Sequence, residues 1–158
     1  MTRYVVDAAT LIHLVDETLR PHADHQLVAP NRIRSEAMDL LLQDVRAGTR
    51  TERDALDVHE HLTEVKIRLL GDRVSRVTAW RIARERGWST LRDAEYLAVT
   101  RLQADALVTV DVALAARAAG VVPVAPLEAL LESRSLPYRD GGSTPLAPGP
   151  PDQSTSRR

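Results

Sequence analysis

The chain reads as an α/β domain, a three-layer α/β/α arrangement around a central parallel sheet, with a C-terminal tail that has no fold of its own. Three observations lead there. Short apolar runs of strand length alternate with stretches whose apolar residues recur at a 3.6-residue period. Strands that alternate with helices call for a parallel sheet covered on both faces. Beyond residue 132 both signals stop, and Pro, Gly and Ser supply thirteen of the 26 residues 133–158. Leu136, Tyr138 and Leu146 are the only large apolar residues there, too few to offset the entropy of ordering the segment.

Residues 3–6 (RYVV) form the first expected strand, and Leu11, Ile12, Val15 and Leu19 follow at helical spacing. A second short run, QLVAP at 26–30, ends on a proline suited to a helix start. Ile33, Ala37, Leu40, Leu41 and Val45 carry the next helix, which Gly48 closes. Residues 51–64 are polar but helical, with Ala55, Leu56, Leu62 and Val65 as the apolar positions, and VKIRLLG at 65–71 is expected to hold a third strand. Val77, Trp80 and Ala83 mark one face of a helix over 73–86 that stops at Gly87. Ala94, Leu97, Ala98 and Leu102 define a helix over 91–103, with His22 and His25 left in a loop earlier in the chain. A strand at 106–110, a helix at 112–119, a strand at 121–124 and a last helix near 126–132 complete the domain.

Composition narrows the function classes. At 158 residues, 44% hydrophobic and 27% charged, the chain suits one soluble domain. No apolar run approaches the ~20 residues that span a bilayer, and the N-terminus lacks the pattern of a secretory signal. The absence of cysteine excludes disulfides, thiolate metal sites and cysteine nucleophiles. Together these features predict a cytoplasmic protein without a membrane partner. A net charge of −1 offers no broad basic surface, although arginine outnumbers lysine twenty to one. With 3% aromatic residues and no Phe, an aromatic base-stacking platform is disfavoured.

The informative residues are acids. Asp7 follows the first strand and Asp111 the fourth, so parallel neighbours would bring both carboxylates to one sheet edge. Each also suits a helix N-cap. Glu36 flanks the buried stripe of its own helix, where Arg32 offers a structural partner. Asp93 starts a helix and fits a loose capping signature with Thr90. All four fall near helix starts, at the carboxyl edge of a parallel sheet. Carboxylates gathered there repel unless a cation neutralises them. Oxygen-only ligation suits Mg²⁺ or Mn²⁺ rather than Zn²⁺, and such ions act on phosphates.

In order and spacing the pieces YVVDAATLI, APNRIRSEAMDLL, DAEYLAVTRLQADALVTVD and PVAPLEALL resemble a PIN-domain ribonuclease of the VapC-like toxin kind, over residues 1–131. The resemblance implies a PIN-like nuclease domain over 1–132 and endonucleolytic hydrolysis of RNA by Mg²⁺ or Mn²⁺, leaving 5′-phosphate and 3′-hydroxyl ends. It places catalysis and metal binding on Asp7, Glu36, Asp93 and Asp111. Thr109 matches a hydroxyl residue two before the last acid. Where many relatives carry a hydroxyl or amide two residues after the first acid, this chain has Ala9, and Thr10 is the available replacement. The resemblance also implies a homodimer and a neutralising antitoxin. Arg32, Arg34, Arg73, Arg76 and Arg81 are candidates for phosphate contact by position alone, with a solvated surface as the reading for most of them.

A haloacid-dehalogenase-type phosphatase also begins with a strand and an Asp. It needs a second Asp two residues on, where Ala9 stands, and a downstream lysine, of which Lys66 is the only one. A receiver domain fails for similar reasons. The remaining alternative is a PIN fold kept as a binding or regulatory module with negligible catalysis.

Overall fold

Val5 and Val6 are wholly buried because the strand that carries them, β1 (Thr2–Val6), lies at the middle of a five-stranded sheet. The computed structural model describes residues 1–132; the expected tail, 133–158, lies outside the described residues. After β1 come α1 (Ala8–Asp16), β2 (His25–Pro30), α2 (Ile33–Ala47), α3 (Glu52–Glu64) and β3 (Ile67–Leu70). The second half runs α4 (Arg73–Arg86), α5 (Arg92–Gln103), β4 (Ala106–Val108), α6 (Val112–Ala118), β5 (Val124–Ala125) and a 3₁₀ turn at Leu127–Leu130.

Every strand pair is parallel, in the order β3-β2-β1-β4-β5. The chain therefore steps outward from β1 to β3 and then returns past β1 to build β4 and β5. Right-handed crossovers put the helices of those two legs on opposite faces. The helices α1, α2 and α3 pack on one another, while α4 pairs with α5, and α5 lies along β1, β2 and β4. This is the expected three-layer α/β/α arrangement. The reversal of direction falls between β1 and β4, where Val6 pairs with Val108. Ligands of open parallel sheets bind at such a switch point, outside the strand ends.

The core draws on both faces: Leu41 and Ile33 from α2, Leu97 and Tyr96 from α5, Ile82 from α4, and Leu107 from β4 are all almost fully buried. Each large apolar side chain stabilises the fold by about 1.5–3 kcal/mol. The helix stops expected at Gly48 and Gly87 are present, at φ 76° and 70°, a left-handed geometry that glycine enters without steric cost.

Several details depart from the sequence reading. The buried face of α4 is Ser75, Ala79, Ile82 and Ala83, whereas Val77 is 42% and Trp80 60% exposed. Small residues at 79 and 83 let α4 lie close against α5, which turns the larger Val77 and Trp80 outward. The fourth strand ends at Val108 rather than 110, and the fifth is Val124–Ala125 rather than 121–124. Gly120 and its neighbours spend their residues on the turn leaving α6. His25 begins β2 instead of sitting in a loop, and the final helix is a single 3₁₀ turn.

Candidate functional site

Asp7 and Asp111 both cap the helices that follow them, so capping and site formation are one arrangement. Asp7 accepts a hydrogen bond from Thr10 N at 3.2 Å, and Asp111 accepts from Ala113 N at 2.9 Å. Because β1 and β4 are adjacent and parallel, the two carboxylates emerge side by side at the switch point. The Thr10 hydroxyl, fully buried, donates to Asp7 Oδ1 and accepts from Val110 N at 3.0 Å. It thereby ties the β1 end to the β4 end. The Thr109 hydroxyl accepts from Asp111 N at 3.0 Å.

Asp7 is only 5% exposed. Burial pushes its carboxyl above the ordinary aspartate range, the hydroxyls of Thr10 and Thr109 oppose that rise, and the charge of Asp111 adds to it. Among the described residues no basic side chain pairs with either Asp7 or Asp111. A buried carboxylate beside a second one, with no protein cation for either, is expensive to maintain.

The other two acids approach from α2 and α5. Glu36 stands in the first turn of α2, where the Tyr96 hydroxyl donates to its Oε2 at 2.8 Å. Its Oε1 lies 3.2 Å from Arg32 Nε, one helical turn back. Neither of those two atoms has a hydrogen-bond partner, so charge rather than a directed bond holds the pair. Burial raises the Glu36 pKa; Tyr96, Arg32 and Arg92 lower it, and Asp93 raises it. The Tyr96 phenol is itself pushed up, first by burial and then by Glu36, with a further push from Asp7. Through Tyr96 and Asp93 the α2 and α5 acids therefore share a field with the strand-end pair.

Asp93 does not complete the expected cap with Thr90: α5 starts after Leu91, and no side chain caps it. Asp93 Oδ2 instead accepts from Arg117 Nη1 at 2.8 Å, and that guanidinium lies 4.8 Å from the ring centre of Trp88. Arg92 Nε is 3.8 Å from Asp93 Oδ1. Among the described residues no three acidic or histidine side chains form a ready-made ion cage. Asp93 is paired with Arg117, and Glu36 faces Arg32.

The donor set fits a hard divalent cation nonetheless. It offers oxygen only, it includes a buried Glu36 oxygen without a hydrogen-bond partner, and two of its carboxylates lack any protein cation.

Tyr96, Arg117 and Trp88 belong to the site although the sequence marked no role for them. Only Tyr96 carried a signal: a phenol in an otherwise apolar helix face needs a polar partner for its tip. Of the arginines singled out for phosphate contact, Arg32 and Arg76 lie at this edge around a common cavity.

No family model matches the chain, nor does any curated protein. Solved structures do. PAE2754 from Pyrobaculum aerophilum is 26% identical, with a TM-score of 0.62 over 82% of this chain and 93% of that one. VapBC-1 from nontypeable Haemophilus influenzae is 16% identical, with a TM-score of 0.53 over 79% of this chain and 98% of that one.

Proposed function

We propose that this chain, whose fold is the VapC-like PIN-domain fold, is a Mg²⁺- or Mn²⁺-dependent endoribonuclease and the toxin of a type II toxin–antitoxin pair. One observation carries the reading: at the switch point, the buried Asp7 and its neighbour Asp111 have no protein cation among the described residues. A divalent ion bound there would polarise the scissile phosphate and lower the pKa of an attacking water. Asp7, Asp93 and Asp111 are the carboxylates to hold it. Glu36, whose pKa burial raises, is suited to accept a proton from water or to bind a second ion.

The remaining residues position these groups. Thr10 fixes the Asp7 carboxylate against the β4 end, Thr109 holds the backbone N–H of Asp111, and Tyr96 orients Glu36. An antitoxin and a second copy of the chain are the expected protein partners, and the cytoplasm the expected compartment. No helix among the described residues is long and apolar enough to cross a membrane.

A binding module with negligible catalysis is the second reading, favoured by Arg117 and Arg32, which already engage Asp93 and Glu36. Purified chain incubated with a broad RNA pool and Mn²⁺ separates the two. The nuclease reading expects fragments with 5′-phosphate ends, lost in Asp7→Asn and Asp93→Asn variants that keep the wild-type circular dichroism spectrum. An intact RNA pool with a folded protein that still binds its antitoxin establishes the module instead.

A further inference from the structure

Beside the acids, at the ends of β2 and β3, lies a cavity of about 230 Å³. It falls below the roughly 300–1,000 Å³ of drug-sized ligand pockets and suits a single flat group. Pro30, Leu70 and Val99 supply apolar walls. The polar side chains around it are Asn31, Arg32, Ser75, Arg76 and Glu95, and the Ser75 hydroxyl is already given to Asp72. Arg76 is anchored, its Nη1 donating to the Gly71 carbonyl at 3.0 Å. Arg32 Nη1 is buried with no hydrogen-bond partner, and Arg32 Nε stands 3.5 Å from Glu95 Oε2. The same Arg32 faces Glu36, so the cavity adjoins the acidic site through one shared side chain.

Apolar walls with a guanidinium and a carboxylate side by side fit a nucleobase better than a phosphate, which Glu95 would repel. Guanine is the base whose edges match both: O6 and N7 accept from arginine, and its N–H groups donate to a carboxylate. The planar guanidinium of Arg76 can also serve as a stacking surface in a chain so poor in aromatics. We propose that this cavity receives an unpaired guanine flanking the scissile phosphate, read by Arg32 and Glu95 and covered by Arg76. The assignment deepens the ribonuclease reading and rests on it for the choice of RNA as ligand.

The test is independent of cleavage. Guanosine and uridine 5′-monophosphates are titrated into the full chain in EDTA while the methyl resonances of Leu70 and Val99 are followed. Guanosine monophosphate should shift both at a concentration about tenfold lower than uridine monophosphate. Glu95→Gln should abolish that preference. Gly71→Ala, whose added Cβ would come within 2.4 Å of Asn31 Nδ2, should weaken guanosine binding by crowding the rim. Equal shifts by both nucleotides would make this a phosphate site and overturn the base assignment, as would the absence of shifts at Leu70 and Val99. RNA cleavage without dependence on a neighbouring guanine sinks this inference alone. Selective guanosine binding by a chain that cuts no RNA sinks the nuclease reading instead.

Discussion

Replacing Tyr96 with Phe removes one oxygen from the site and nothing from the core. The ring is 1% exposed and keeps its packing, so no cavity opens. What disappears is the 2.8 Å hydrogen bond to Glu36 Oε2. A hydrogen bond to a charged partner contributes about 1.5–3 kcal/mol. Glu36 is 18% exposed and keeps Arg32 nearby, so water and charge recover part of the loss. The lower half of the range, about 1.5–2 kcal/mol, is the expected cost. At about 2–4 °C per kcal/mol for a chain of this size, the melting temperature should fall by about 3–8 °C at pH 7. The Tyr96 hydroxyl also opposes the upward push of burial on Glu36. Its removal therefore raises the Glu36 pKa further. A raised carboxyl pKa lowers stability in full above the folded-state pKa, and that penalty fades as the pH falls from the folded value to the unfolded one. The gap between Tyr96→Phe and wild type should accordingly shrink on acidification. Thermal melts from pH 7 downward, with carbon-detected titration of Glu36, measure both effects. An unchanged melting temperature together with an unchanged Glu36 titration would refute the coupling of Tyr96 to Glu36.

Three further outcomes follow from the same geometry. Asp7→Asn removes a buried carboxylate whose pKa burial raises, so the variant should be more stable than wild type at pH 7; thermal melts should show the advantage disappearing below the ordinary aspartate range, and a less stable variant at pH 7 would mean that burial of the Asp7 charge carries no net cost. Arg117→Ala should change tryptophan emission by uncovering Trp88, while costing no more than about 1 kcal/mol because Arg117 is 45% exposed; unaltered emission in a steady-state spectrum would place Arg117 away from Trp88. Arg50→Ala strips the common partner from Asp16, Asp44 and Asp54 where the ends of α1, α2 and α3 meet, and urea denaturation should register a loss of about 1–2 kcal/mol that diminishes at high salt.

Much of this architecture is written in local pattern. The alternation of strand and helix signals places β1 through β4, and the apolar run before Asp7 and before Asp111 requires strands buried on both faces. Their adjacency is a condition that the sequence leaves open and that the pairing of Val6 with Val108 meets. Long-range packing is what local pattern misses. Nothing in the spacing of Val77 and Trp80 distinguishes a buried stripe from an exposed one; the small Ala79 and Ala83 decide it by allowing close approach to α5. Asp93 has a local capping signature, yet Arg117, 24 residues away, takes its carboxylate. The replacement of a missing hydroxyl at Ala9 by Thr10 was legible as a possibility from adjacency. Only the fold shows Thr10 reaching both Asp7 and the Val110 backbone.

Under the proposed function, Asp7, Asp111 and Asp93, which follow β1, follow β4 and stand in α5, hold one cation together. Calorimetric titration of Mn²⁺ into the full chain, and into Asp7→Asn, Asp93→Asn and Asp111→Asn, tests it most directly. The wild type should bind saturably, and each substitution should weaken binding at least about tenfold, or 1.4 kcal/mol, with circular dichroism unchanged. Binding of the same strength in all three variants, or none in the wild type, would contradict it.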